Sequence, residues 1–213
     1  MDKLGIKATL YDFFGYLVPG LVLILYLYIF YRNIDKELNF WVILQNLTSY
    51  YKTIYALLVV LVGYCLGHIV SSASSFIMEK RIVEKIKFFK SKLDLKALIS
   101  SDLYSVFEEK YRNCFKVNYD CKDIRTLICY VEKNNHEIYS TAFVFLSIYG
   151  MARSLSIISF IFAILEVGCF FYIKSKLVFM YALCGFGLGV VFFYEYFRFK
   201  KYFLTEILNG ILV

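Results

Sequence analysis

Four stretches without a formal charge constrain this chain more than any motif in it: residues 13 to 31, 53 to 78, 154 to 173 (Glu166 excepted) and 177 to 194. They hold 19, 26, 20 and 18 residues, and a helix needs about 20 to cross the hydrocarbon of a bilayer. Backbone groups in lipid have no water to bond, so only helices and closed barrels cross it. The period-two alternation of barrel strands is missing. The expected fold is an all-α integral membrane protein with four transmembrane helices and a helical cytoplasmic insert between the second and third. Composition agrees, with 60% of residues hydrophobic and 19% charged, where a soluble domain is about half apolar.

The first window contains the only proline, Pro19, within "YDFFGYLVPG". A cleaved signal peptide does not fit, because Pro19 interrupts the apolar run and no small-x-small cleavage site follows Tyr31. Pro19 has no N–H and its fixed φ suits a first helical turn. The expectation is an N-terminal elbow, with Tyr11, Phe13, Phe14 and Tyr16 lying along the membrane interface before the first span.

Basic residues set the orientation. The N-terminus, residues 79 to 137 and the C-terminus hold 2, 13 and 3 Lys and Arg, whereas the opposite side holds five: Arg32, Lys36, Lys52, Lys174 and Lys176. The positive-inside rule then places both termini and the long middle segment in the cytoplasm, at a cell inner membrane. The net charge of +7 is accounted for by topology and lipid head groups, and no direct nucleic-acid binding is expected. On the other side Trp41, Tyr50, Tyr51 and Tyr55 suggest an aromatic belt. The Asn46-Leu47-Thr48 sequon is too short a match to carry weight.

The chain divides into 1–78, the elbow and first two spans; 79–137, the insert; 138–194, the last two spans; and 195–213, an amphipathic tail. Ile82, Ile86, Phe89 and Leu93 predict a helix leaving the second span. Ser101 predicts the N-cap of a helix bearing Leu103, Val106, Phe107 and Tyr111, and Ile124, Leu127, Ile128 and Val131 predict another, ending near Asn134-Asn135. Phe199, Phe203, Leu208, Ile211 and Leu212 continue an apolar stripe that should dock the tail on the insert. Residues 138–152, uncharged and too short to cross alone, form either an interfacial helix or, as favoured here, one helix with the third span.

Small residues recur at every fourth position: Gly63, Gly67, Ser71 and Ser75 in the second span, Gly185 and Gly189 in the fourth, and Ser159 with Ala163 in the third. Such ridges let helix backbones approach closely. They serve contacts within one chain or between copies, and a homo-oligomer is expected. Ionisable groups are costly in hydrocarbon, so Glu166 and His68 are candidate pore or intramembrane residues. Glu166 either lines a hydrated path or is protonated and hydrogen-bonded between helices. His68 is more simply a packed histidine. The two fall in opposite leaflets and are not expected to meet. Asp12, Glu79, Arg153, Glu195 and Arg198 come from all four spans and form an inner-boundary polar collar, as structural pairs or as a gate.

Catalytic patterns are missing: the six cysteines include no C-x-x-C, the two histidines belong to no metalloprotease or triad pattern, and no phosphate-binding glycine loop occurs. No cofactor, metal or catalytic residue is expected. The layout of "YDFFGYLVPG", "GHIVSSASS", "YGMARSL" and "FRFKKYFLTEILNGIL" resembles small four-span bacterial membrane proteins, some of which accompany antiphage systems. Examples are the membrane accessories of type VI-B CRISPR loci and the membrane subunit of Kiwa. Some of those accessories are similar to HEPN proteins with closely spaced Arg and His; this chain has no such pair, and no RNase site is carried over. The resemblance implies a non-enzymatic oligomeric sensor or effector in antiviral defence, acting on or through the bilayer with a soluble cytoplasmic protein partner. The alternative is an ion channel or small transporter of ordinary physiology, against which the two halves show no internal repeat.

Overall fold

The computed structural model describes residues 10–35, 48–83, 85–86, 93, 98, 101–116 and 124–212. Trp41, the sequon's Asn46 and Leu47, Phe89 and Cys121 lie outside the described residues. Among those described, the secondary structure is helical. A π-helical segment, Asp12–Leu17, leads into α1 (Val18–Ile34). Next come α2 (Ser49–Ser75), running on into a second π-helical segment, Phe76–Val83, then α3 (Ser101–Phe115) and α4 (Ile124–Asn134). The chain ends in α5 (His136–Ile173) and α6 (Lys176–Leu212). Four stretches, Asp12–Ile34, Tyr51–Val83, His136–Ile173 and Lys176–Leu212, are long and apolar enough to cross a membrane.

The elbow is not a corner. Tyr11, Leu17 and Val18 all have right-handed helical dihedrals, and the Val18 N–H bonds Phe13 O, five residues back. The proline marks a change of hydrogen-bonding register instead: the missing donor falls where the wide π turns give way to α-helix. A widened turn relieves the clash a proline makes with the carbonyl four residues before it. Tyr11, just before the π segment, packs on Phe143 and Tyr16 stacks on His68, whereas Phe13 is half exposed and packs edge-on against Phe14.

α5 is one unbroken helix, so residues 138–152 continue the third spanning stretch. Its 38 residues extend about 57 Å at 1.5 Å per residue, against a hydrocarbon thickness of about 30 Å. α6 runs antiparallel to it at nearly the same length, joined by a turn in which Lys174 adopts φ 53° and its N–H caps Phe170 O. α5 touches α1, α2, α4, α6 and the first π segment, and Arg153 ties it to the second through Glu79. Of its most apolar stretch 39% is buried, against 17–22% for the others, so it is the central member. The outward faces of the four carry Leu, Val, Ile and Phe, with Ile164 and Phe171 more than two-thirds exposed.

Beyond the apolar part, the ends of α5 and α6 form a helical head with α3 and α4. Phe107, Tyr111, Leu127, Val131 and Ala142 pack there against Phe203, Leu204, Ile207, Leu208 and Ile211. The tail therefore docks on the helices between the second and third spanning stretches. The face of α3 differs from the expectation: Leu103 and Val106 point outward, and Tyr104 joins Phe107 and Tyr111 in facing the core. Two of the last α6 carbonyls are capped from neighbouring elements, Gly210 O by Asn135 Nδ2 at 2.6 Å and Leu212 O by the Lys110 ammonium. Uncapped, they would be orphan acceptors at a helix C-terminus.

Candidate functional site

The small-residue ridge of α2 is filled from within the chain. A Cβ added to Gly67 would lie 1.9 Å from Tyr16 O, one on Gly20 would lie 1.7 Å from Gly63 O, and one on Gly63 would meet the Leu21 side chain at 2.8 Å. Gly20, absent from the sequence ridge because it stands alone in its helix, is the matching notch on α1. Lower on α2 the buried face drifts by one residue: Ser71 and Ser74 are buried, whereas Ser75 is only half-buried. The 3.6-residue turn makes a strict four-residue ridge precess around the helix. Gly185 and Gly189 face α5, meeting Phe162, Ala163 and Ser159 at one level and Phe160 at the other. Ser156 Oγ donates to Gly189 O at 3.0 Å.

The expected polar collar separates into two parts. Arg153, 6% exposed, is bonded through all three guanidinium nitrogens. Nη1 donates to Glu79 Oε1 at 2.6 Å, Nε to Ser74 Oγ at 3.3 Å, and Nη2 to Ser71 O at 3.3 Å. Ser74 Oγ donates to Ser71 O at 3.0 Å and lies 3.1 Å from Ser154 Oγ. Lys200 of α6 brings its ammonium to 3.9 Å from Glu79 and donates to Tyr196 OH at 3.1 Å. The second π segment, α5 and α6 thus meet around one carboxylate, where the apolar part of α5 gives way to the head. Glu195 and Arg198 stand apart, pairing only along α6 at 3.3 Å with the guanidinium half exposed. Asp12, half-buried, begins the first π segment and, among the described residues, joins neither pair. No five-residue collar forms.

Near the α5–α6 turn, a second polar set ties α1 to α5. Tyr26 stacks on Phe162, with centroids 4.2 Å apart, and its OH lies 3.1 Å from Ser159 Oγ. Seven residues further along both helices, Asn33 Nδ2 donates to both oxygens of Glu166, at 2.8 and 3.0 Å. The equal spacing means that α1 and α5 run parallel with a constant offset. Glu166 is fully buried. A cavity of about 260 Å³ opens beside this pair, lined by Arg32, Asn33 and Ser175 and by the apolar Ile173, Leu177 and Val178.

His68 does not meet Glu166. It stacks on Tyr16 at 3.7 Å, with Tyr64 edge-on at 4.7 Å, but its residue remains exposed on the outer side of α2.

Sequence reasoning missed Gly20, Asn33, Ser74 and Tyr26. Asn33 had a signal, a polar amide just beyond the end of an apolar window, but its pairing with Glu166 depends on register between helices. Among the described residues no group of three or more His, Cys, Asp or Glu is placed to hold a metal. Comparison with protein-family models, curated proteins and solved structures finds no match.

Proposed function

We propose that the protein is a non-enzymatic, oligomeric membrane sensor or effector. It acts on or through the bilayer of the cell inner membrane and receives its signal from a soluble cytoplasmic partner. Antiphage defence, the setting of the proteins it resembles, is the proposed context, with both termini and the head in the cytoplasm. The observation that carries this reading is the continuity of α5 and α6, which supply both the apolar core and more than half of the head cluster. A partner bound on α3 and α4 then acts on elements that themselves reach into the lipid, with Arg153, Glu79 and Lys200 at the junction.

Association between copies is favoured by the uncovered face of α2. Leu58, Leu61, Cys65, His68 and Ser72 follow one another at spacings of three and four, and all are exposed in the single chain. That is the spacing of a coiled-coil seam. His68 lies on this face, so a second copy packed against it removes a polar ring from contact with lipid.

The test has two arms. Oxidation of a variant retaining only Cys65 in native membranes should yield a cross-linked dimer, diminished in His68→Phe. Cells expressing the chain with a soluble partner captured by its head should resist phage or lose membrane integrity on challenge, and charge reversal on the outer face of α3 should abolish this. A monomer in membranes and no bilayer effect under challenge would sink the proposal. The second reading, an ion channel or small transporter, is favoured by the burial of Glu166 beside a cavity. It requires cation leak through reconstituted vesicles that changes in Glu166→Gln.

A further inference from the structure

Glu166 is a carboxylate with no exposed surface and a single kind of partner. Among the described residues no Lys, Arg or His stands within ion-pair distance of it, and one Asn33 amide serves both oxygens. A buried carboxylate whose charge is unpaired is costly. The cost disappears when the group takes up a small cationic ligand. Asn33 is also part of the wall of the 260 Å³ cavity, so the cavity lies one side chain away from the carboxylate.

The surroundings select among ligands. On α1, Arg32 lines the cavity; Lys174 lies in the turn and Lys176 begins α6. On α5, Cys169 is buried one turn beyond Glu166. α6 offers Tyr181 and Cys184, and α2 has no titratable side chain from Ala56 to Gly63. Asp35 caps the end of α1 two residues beyond Asn33, so this end carries charge of both signs and charge alone does not choose the ligand. The carboxylate oxygens face an N–H donor rather than the further oxygens a hard metal ion needs. A proton needs only one of the carboxylate oxygens already present.

We infer that Glu166 and Asn33 form a proton-binding site between α1 and α5, loaded through the cavity at the α5–α6 turn. The proton adds to a Glu166 oxygen from bulk water and returns to it, so no other reactant is required. With the proton bound, a neutral acid sits against the amide; without it, a buried charge is held by one donor. Occupancy therefore sets how firmly α1 is held against α5 at this end. The site exists whether or not ions pass through the protein.

Infrared difference spectroscopy of the whole chain in lipid vesicles tests this. The probe is the carbonyl stretch of a protonated carboxyl, with carbon-13-labelled glutamate identifying the band. We expect a glutamic-acid band that appears and vanishes reversibly with bulk pH and is absent in Glu166→Gln. Asn33→Leu should shift its midpoint by about one pH unit, a tenfold change in proton affinity, and Ser175→Leu should slow its appearance without moving the midpoint. If Glu166→Gln does not fold, Glu166→Asp replaces the glutamic band with an aspartic one. A labelled band indifferent to pH, or one that persists in Glu166→Gln, overturns the site. A midpoint that follows sodium concentration at constant ionic strength overturns the assignment of the ligand.

Discussion

Replacing Gly67 by alanine adds one methyl group at the seam between α1 and α2. The new carbon would lie 1.9 Å from Tyr16 O, whereas ordinary contact begins at 3.4 Å. The opposing atom is backbone, so no rotamer change relieves it. The helices must separate by about 1.5 Å, and a gap of even 0.5–1 Å forfeits a quarter to a half of each dispersion contact along the seam. Overpacking of this kind costs about 1–3 kcal/mol, and more where backbone must move. Gly20→Ala should cost a similar amount, because its methyl would fall 1.7 Å from Gly63 O. Both substitutions open the same seam, so the double variant should lose less than the sum of the two. Gly168→Ala and Gly187→Ala are internal controls: an added Cβ meets nothing within 4 Å at either, and both should be neutral or mildly stabilising through helix propensity. Equilibrium unfolding in detergent, followed by helical circular dichroism, measures all five. Unchanged stability in Gly67→Ala, with Gly67→Leu altering only oligomer size, would refute the intrachain seam and return the ridge to contacts between copies.

Glu79→Gln should destabilise the folded chain by about 3 kcal/mol, the lower end for breaking a buried pair because Glu79 is 31% exposed. Adding Arg153→Met to it should recover part of the loss in the same unfolding assay. Single cysteines placed at Lys110 and at Lys174 should be labelled by impermeant maleimide from opposite sides of the membrane; labelling from one side would sink the four-span topology. In the head, the hydrogen bond with Cys114, and then partial burial, push the Tyr130 phenol above its ordinary value. The contact's contribution is then complete below about pH 10, the unfolded phenol's value, and fades as pH rises through the folded one. Cys114→Ala should bring the phenol back toward the ordinary range in a spectrophotometric titration.

Spanning helices were legible because each needs only a run of apolar residues, and the head helices because Phe107, Tyr111, Leu127 and Val131 recur at helical spacing. The ridge of α2 was visible for the same reason, since periodicity lies within one helix. Its partner was not: Gly20 is a single glycine, and nothing local distinguishes it from Gly168, which touches nothing. Register between helices is a tertiary quantity. That is why Arg153 could be placed at a boundary but not assigned to Glu79, Ser71 and Ser74, and why Glu195 and Arg198 were grouped with it on depth alone. Pro19 misled for a different reason: a proline beginning an apolar run fits both a corner and a helix that changes its bonding register. Only the dihedrals on either side separate those outcomes.

The central place of α5 also orders how the chain assembles. The α1–α2 seam and the α5–α6 hairpin each join helices next to each other in sequence, so each closes a short loop and forms early. The two hairpins are joined chiefly by α5, the third spanning helix to be synthesised. Until it arrives, Glu79 and Ser74 have no guanidinium and Asn33 has no carboxylate to bond. The contacts of Arg153 and Glu166 can close only once α5 is present. A chain stopped before Arg153 lacks every guanidinium contact that Glu79, Ser71 and Ser74 make in the full structure.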